Sequence, residues 1–149
     1  MSDKPRILVA DDDKLVQSAF SDLLEYSGYH VIPAWDGEEA FAKAQAERPD
    51  LILLDVLMPK RNGIQVAQDL KVNPETRGIP IIIVTALSGA PAAQLTQADV
   101  YLQKPVRPGD LLEHVRRLLS ARGAPLPVAA RPARPQAARN IAPYVPEIA

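Results

Sequence analysis

Short apolar runs alternate with amphipathic stretches from residue 6 to residue 121 of this chain. Residues 7–10, 51–54 and 79–84 are apolar at nearly every position, which is typical of strands that helices cover on both faces. Between the runs, apolar residues recur three and four positions apart, as they do on one face of a helix. The alternation predicts an α/β fold, a doubly wound parallel sheet with helices on both faces and right-handed crossovers.

Two shorter runs complete the predicted sheet. Residues 29–34 form the second strand, and Tyr101 and Leu102 mark a short fifth strand. An amphipathic helix around residues 111–119 follows. The segment 87–97 has weak periodicity and contains glycine, proline and several alanines, so it predicts only a short or irregular fourth helix.

The composition of the chain changes after residue 122. Residues 1–122 contain the alternating pattern and are predicted to form one domain. Residues 123–149 are rich in proline, alanine and arginine. Such a segment buries too little apolar surface to offset the entropy lost on ordering, so we predict a disordered tail.

Composition also excludes several classes of protein. The absence of cysteine rules out disulfides and thiolate metal sites, and a hydrophobic content of 47% is enough for a core without them. The formal net charge of −1 gives no basis for nucleic-acid binding. The N-terminus lacks the apolar stretch of a signal peptide, and no apolar run approaches the length of a membrane span. We therefore expect a cytoplasmic protein with no nucleic-acid or membrane partner.

Polar residues gather where the predicted strands end. Three aspartates follow the first strand. One further polar residue lies at the carboxyl end of each of the third, fourth and fifth strands. In chain order these residues are Asp11, Asp12, Asp13, Asp55, Thr85 and Lys104. Because the carboxyl ends of parallel strands meet at one edge of a sheet, we expect most of these side chains to form one site. Asp13 is the exception, since its charge suits the beginning of the first helix.

The clustered carboxylates of this set need a counter-charge, and Mg²⁺ is the cation that best matches oxygen ligands. A carboxylate on Mg²⁺ beside a lysine and a hydroxyl is suited to phosphoryl transfer. The pattern indicates Asp55 as the phosphoryl acceptor. Asp11 and Asp12 would hold the metal. Lys104 and Thr85 would contact the phosphoryl oxygens and stabilise their charge.

The same residues lie in motifs that resemble the receiver domain of two-component response regulators, over about residues 5–121. The motifs are ILVADDD at 7–13, LILLDVLMP at 51–59, NG at 62–63, VTA at 84–86 and YLQKP at 101–105. The resemblance implies a five-stranded, flavodoxin-like sheet with strand order 2-1-3-4-5. It also implies that a histidine kinase or a phosphotransfer protein donates the phosphoryl group.

The resemblance further implies a ligand set for the metal. Asp12 and Asp55 would bind Mg²⁺ directly, together with the backbone carbonyl of Leu57. Asp11 would contribute through a water molecule. Asp55 would thus be both a metal ligand and the phosphoryl acceptor.

A switch mechanism is also implied by the resemblance. Thr85 and Tyr101 are similar to the family's switch pair, in which the hydroxyl moves toward the phosphoryl group and the aromatic ring turns inward. Lys104 is followed by Pro105, and the peptide bond between these positions is frequently cis in the family. Proline makes the cis isomer accessible.

Two features depart from the family pattern. Thr85 and Lys104 are 104 − 85 = 19 positions apart, about one helical turn fewer than is common, which again predicts a shortened fourth helix. Leu57 and Leu87 occupy positions that are often polar in the family and that influence loss of the phosphoryl group. Two leucines there are expected to restrict the attacking water and to slow self-dephosphorylation.

We therefore expect a stand-alone receiver that signals through contacts with a downstream protein, with homodimerisation left open. Its chemistry would be limited to its own phosphorylation and dephosphorylation, without turnover of an external substrate. One alternative is a scaffold that keeps the receiver fold but signals without phosphate. Another is a haloacid-dehalogenase-type phosphatase, in which Asp11 and Asp13 would supply an Asp-x-Asp pair.

Overall fold

A computed structural model describes residues 4–86 and 98–121 of the chain. Strands and helices alternate from residue 6 to residue 85, as the sequence pattern predicts, and a further strand and helix follow from residue 100. In chain order they are β1 (Arg6–Ala10), α1 (Lys14–Tyr26), β2 (His30–Ala34), α2 (Gly37–Glu47), β3 (Leu51–Leu54), α3 (Gly63–Val72), β4 (Ile81–Thr85), β5 (Val100–Gln103) and α4 (Pro108–Ala121). The predicted short helix in 87–97 and the predicted tail 123–149 lie outside the described residues.

The five described strands form one parallel sheet in the order β2-β1-β3-β4-β5. The predicted fold class and strand order are therefore confirmed. β1 lies between β2 and β3, with Ala10 opposite both Ala34 and Leu54. This order brings the carboxyl ends of β1 and β3 side by side. The direction in which strands are added also reverses here, because β2 lies on one side of β1 and the later strands lie on the other. In sheets of this kind, ligands bind beyond the strand ends at such a reversal.

Apolar side chains on the two faces of the sheet belong to two separate cores. α1 and α4 cover one face, where Phe20 and Leu111 pack against residues such as Val9 of β1. α2 and α3 cover the other face, where Val66 packs with β1 and β3 residues such as Leu8. The central strands are buried on both faces, which explains why their sequences have no polar alternation. No helix among the described residues is long and apolar enough to cross a membrane.

Side-chain caps determine where α2 and α3 begin. Asp36 is the N-cap of α2, and its side chain accepts the Glu39 N–H at 2.7 Å. The Glu39 carboxylate in turn accepts the Trp35 N–H at 2.8 Å. At α3, Asn62 and Gln65 form a complete capping box. Both caps lie at the edge of the sheet where the strands end.

The Asp36 cap makes the stability of the domain depend on pH. The N–H of Glu39 holds the pKa of the Asp36 carboxyl below its ordinary value, and the charge of Lys60 acts in the same direction. Because the folded-state pKa lies below the unfolded value of about 3.9, the carboxylate stabilises the fold above that pH. This contribution is lost as the pH falls through the folded-state pKa.

We expect Asp36→Asn, which keeps a capping oxygen but removes the charge, to lower the free energy of unfolding at neutral pH. On acidification the difference between wild type and variant should shrink, because the wild-type carboxylate becomes protonated. Urea unfolding of both proteins across a pH series measures this. Parallel pH profiles for the two proteins would contradict the prediction.

Candidate functional site

Three carboxylates meet beyond the carboxyl ends of β1 and β3. Asp11, Asp12 and Asp55 each offer one oxygen, and these oxygens all lie within 4.8 Å of one another. Asp11 and Asp55 are only 2% and 7% exposed, whereas Asp12 is exposed. The cluster therefore has two buried members and one at the solvent side, so it can be reached from solution.

Lys104, which follows Asp11 by 93 residues in sequence, contacts this cluster. Its Nζ donates to Asp11 Oδ2 at 2.9 Å and to Asp55 Oδ2 at 3.4 Å, and its side chain is 9% exposed. The backbone N–H of Lys104 donates to the Thr85 carbonyl at 2.8 Å, which fixes the residue after β5 to the end of β4. The Lys104–Pro105 peptide is cis, as the resemblance implies.

Burial and charge act in opposite directions on the ionisation of this cluster. Burial raises the pKa of Asp11, although hydrogen bonds from the Asp13 N–H and from Lys104 oppose the rise. Burial by itself would lower the pKa of Lys104, but the hydrogen bond and charge of Asp11, with those of Asp55, raise it overall. The lysine is therefore held as a cation by the two carboxylates.

The charge balance and donor set of the cluster fit a divalent cation. With all three carboxylates ionised and Lys104 protonated, the site carries a formal charge of −3 + 1 = −2. The available donors are carboxylate oxygens, which are the ligands that Mg²⁺ prefers. Asp11, Asp12 and Asp55 are the residues that would hold such an ion.

Asp13 has a separate structural role. Its side chain accepts the N–H groups of Leu15 at 2.8 Å and Val16 at 3.2 Å, so it is the N-cap of α1, as predicted. Its own N–H donates to Asp11 Oδ1 at 2.9 Å. The Asp-x-Asp pair of the phosphatase alternative would require Asp13 as a catalytic group. Its use as a helix cap argues against that alternative.

The remaining predicted site residues lie in β4, in β5 and in the loop after β3. Thr85 is fully buried at the end of β4, next to β3. Tyr101 of β5 is partly buried and packs against the core that α2 and α3 cover. Leu57 is 54% exposed, and its N–H is 3.4 Å from Asp55 Oδ1. The assigned roles of Thr85, Tyr101 and Leu57 stay predictions, and Leu87 lies outside the described residues.

The loop between β3 and α3 packs tightly against the backbone of Asp55. The Gly63 N–H donates to the Val56 carbonyl at 2.9 Å, which closes the loop. A Cβ at Gly63 would overlap the backbone carbonyl of Asp55. The sequence motif contains this glycine, but only the close backbone approach shows that it positions Asp55.

Gly63→Ala is expected to lower the free energy of unfolding by about 2 kcal/mol, as is typical of overpacking at a tight site. Because the backbone of Asp55 must shift, phosphorylation at that residue should also slow. Urea unfolding and a labelling time course measure the two effects. Gly78→Ala is the matched control, since nothing lies within 4 Å of a Cβ there. Equal effects of the two variants would contradict the prediction.

The sequence of this chain is similar to those of known proteins. Residues 7–116 match the family model described as the response regulator receiver domain. The probable transcriptional regulator ycf27 of Cyanophora paradoxa is 42% identical over 120 residues, and PhoP, the alkaline phosphatase synthesis transcriptional regulatory protein of Bacillus subtilis, is 40% identical over 117. The alignments cover 78% and 76% of this chain but 48% of each relative. The chain thus spans about half the length of the curated relatives it matches.

Solved structures show the same similarity over nearly their whole length. The signal receiver domain of a histidine kinase from Syntrophus aciditrophicus has a TM-score of 0.74 and 35% identity, with 78% of this chain and 91% of that chain covered. A CheY-like receiver domain protein from Methanospirillum hungatei has a TM-score of 0.73 and 32% identity, with coverage of 79% and 95%.

Proposed function

This chain belongs to the response regulator receiver domain family of two-component systems, and on that premise we propose that Asp55 is its phosphoryl acceptor. The observation that carries the proposal is the position of Lys104. Its Nζ lies within hydrogen-bond distance of both Asp11 and Asp55, inside a group of three carboxylates suited to a divalent cation. The proposed nucleophile Asp55, the ammonium group of Lys104 and the proposed metal ligands therefore lie together at the carboxyl edge of the sheet.

The proposed reaction is an in-line transfer. A carboxylate oxygen of Asp55 attacks phosphorus, and the bond from phosphorus to the donor breaks as the leaving group departs with its electron pair. Lys104, which already contacts Asp55, stabilises charge on a phosphoryl oxygen. The Thr85 hydroxyl donates to another phosphoryl oxygen. The product is an acyl phosphate on Asp55.

Mg²⁺ is the metal in this proposal. Asp12 and Asp55 would hold it, with the Leu57 carbonyl as a third ligand and Asp11 acting through water. The ion would neutralise charge on the phosphoryl oxygens and on the carboxylates. The carboxylate oxygens that the cluster offers within 4.8 Å of one another support this assignment.

The proposed function also includes a phosphoryl donor and a downstream partner. A histidine kinase or a phosphotransfer protein supplies the phosphoryl group in the cytoplasm. Thr85 and Tyr101 change conformation on phosphorylation, and a downstream protein binds the changed surface. The described domain acts as a switch without turning over an external substrate. Several relatives are named as transcriptional regulators, one of them DNA-binding, so a stand-alone arrangement stays a prediction.

The proposal is tested by incubating the purified protein with acetyl phosphate and Mg²⁺ and measuring its intact mass. We expect an increase corresponding to one phosphoryl group, which excess EDTA should prevent. No increase with Mg²⁺, or an equal increase with EDTA, would overturn the proposal. For the scaffold alternative, the decisive comparison is partner binding by wild type and Asp55→Ala, which should be indistinguishable if phosphate plays no part.

Leu57 bears on how long the phosphoryl group persists. Its exposed apolar side chain lies two residues after Asp55, where it cannot hydrogen-bond to an attacking water. We expect Leu57→Asn to accelerate loss of the phosphoryl group severalfold, because an amide can orient that water. Decay of the phosphorylated proteins, followed by intact mass, measures the effect. Val72→Asn, at an exposed apolar position at the end of α3, is the control. Equal or slower decay in Leu57→Asn would count against the idea.

A further inference from the structure

Gln17 is a buried polar residue on the sheet-facing side of α1. Its side chain is 2% exposed. Nε2 lies within hydrogen-bond distance of three backbone carbonyl oxygens, those of Val9 at 3.1 Å, Asp11 at 3.3 Å and Ala34 at 3.0 Å, and its two hydrogens are shared among them. A single amide thus connects α1 to the end of β1, the end of β2 and the residue that follows β1.

The bond to Asp11 has a direct geometric consequence for the acidic cluster. The carbonyl of Asp11 belongs to the planar peptide group that joins Asp11 to Asp12. A donor on that oxygen restricts the orientation of the peptide plane and hence the relative direction of the two carboxylates. The Asp11 N–H is held as well, since it donates to the Ala34 carbonyl at 3.1 Å. Both peptide groups that flank Asp11 are therefore anchored, one by the sheet and one by Gln17.

Packing alone does not account for an amide at position 17. The Gln17 Oε1 atom is buried and has no hydrogen-bond partner among the described residues. Burying an unpaired acceptor opposes folding. Methionine has a similar length and would fill the same space without burying an unpaired acceptor. The contribution specific to glutamine is therefore its Nε2 donor group.

We propose that Gln17 is a positioning residue for the metal-binding carboxylates, holding the peptide between Asp11 and Asp12 so that both side chains face Asp55. This inference rests on the proposed function, in which the cluster binds Mg²⁺. Groups that orient metal ligands without touching the metal typically affect metal affinity about 10- to 100-fold. Gln17 acts through the backbone of the ligands and is not itself a ligand.

The test is the Mg²⁺ affinity of Gln17→Met, measured by isothermal titration calorimetry without any phosphoryl donor. We expect the dissociation constant to rise about tenfold or more. Thr76→Val is the matched control, because the buried Thr76 hydroxyl also donates to a backbone carbonyl, that of Leu70 at 2.7 Å, away from the cluster. It should lower stability but leave Mg²⁺ affinity unchanged. An equal Mg²⁺ affinity in Gln17→Met and wild type would overturn the inference.

A measurement on the wild type keeps the proposal testable if Gln17→Met does not fold. The side-chain amide signal of Gln17 in a ¹H–¹⁵N NMR spectrum should shift during a Mg²⁺ titration, with the same midpoint as the backbone signal of Asp12. A Gln17 signal that stays fixed while the Asp12 signal moves would overturn the inference alone. A wild-type protein whose signals at Asp11, Asp12 and Asp55 do not respond to Mg²⁺ would overturn the metal assignment of the proposed function first.

Discussion

Asp55→Asn is expected to abolish phosphoryl incorporation from acetyl phosphate while leaving the fold intact. Asparagine has nearly the same shape as aspartate, but its amide is not a nucleophile toward phosphorus. The substitution also removes one carboxylate from a buried cluster in which Asp11 keeps its 2.9 Å contact to Lys104. We therefore expect the free energy of unfolding without Mg²⁺ to equal or exceed that of the wild type.

Intact mass after incubation with acetyl phosphate and Mg²⁺ measures this loss. Asp50→Asn is the matched control, because Asp50 lies at the opposite end of the sheet, where it accepts the Arg6 N–H at 2.7 Å. That variant should be labelled like the wild type. Labelling of Asp55→Asn at the wild-type rate would contradict the assignment. Loss of labelling in Asp11→Asn alone would instead favour the phosphatase alternative.

Lys104→Met is expected to slow phosphorylation of Asp55 about 100- to 1000-fold, the typical effect of removing one hydrogen-bond donor to a developing anion. Methionine keeps most of the length of the side chain but leaves Asp11 and Asp55 without their shared ammonium group. Two buried carboxylates would then lack a counter-charge, so stability without Mg²⁺ should also fall. Added Mg²⁺ should restore part of that stability but not the rate, because the contact to the phosphoryl oxygen stays absent.

Lys71→Met provides the comparison for this experiment. Lys71 is also partly buried, and its Nζ donates to the carbonyls of Arg77 and Ile79, far from the acidic cluster. This variant should lose stability without a specific loss of phosphorylation rate. Initial labelling rates at saturating Mg²⁺ and urea unfolding with and without Mg²⁺ separate the two effects. A Lys104→Met rate within a few-fold of wild type would be incompatible with the proposed contact.

The element order could be predicted from the sequence because the two faces of the sheet impose an unambiguous pattern. Leu51–Leu54 is buried at every position, and its uniform apolar sequence predicted this. The start of β4 was less predictable. The apolar run begins at Ile79, but the strand begins at Ile81, whose N–H is accepted by the Asp99 carboxylate at 2.8 Å. Pro80 precedes it and has no N–H to donate.

The strand order could not be worked out from periodicity, because every buried strand has the same apolar pattern. It followed from the family resemblance, and the structure confirms it. Lys104 and Asp11 are 93 residues apart in sequence, and the apolar pattern alone does not show that their side chains meet. The strand-end positions of the polar residues predicted that they share one edge of the sheet, and the resemblance supplied the order of the strands along that edge.

Two residues near the acidic cluster were not recognised as supporting groups from the sequence. Gln17 is a polar residue in an otherwise apolar helix face, and this irregularity was the available signal. Its three carbonyl partners lie in β1, in β2 and at the residue after β1, so their convergence is a tertiary property. Gly63 stands in a recognised motif, but its close approach to the Asp55 carbonyl depends on how the loop closes. Such contacts arise only once the chain has folded.

The most direct test of the account is to identify the atom that carries the phosphoryl group. Acyl phosphates, unlike phosphate esters of serine or threonine, are reduced by borohydride, which converts the modified aspartate to homoserine. Wild-type protein is labelled with acetyl phosphate and Mg²⁺, reduced and digested, and the peptides are sequenced by mass spectrometry. We expect homoserine at position 55. Homoserine at position 11 or 12, or no homoserine in a labelled protein, would contradict it.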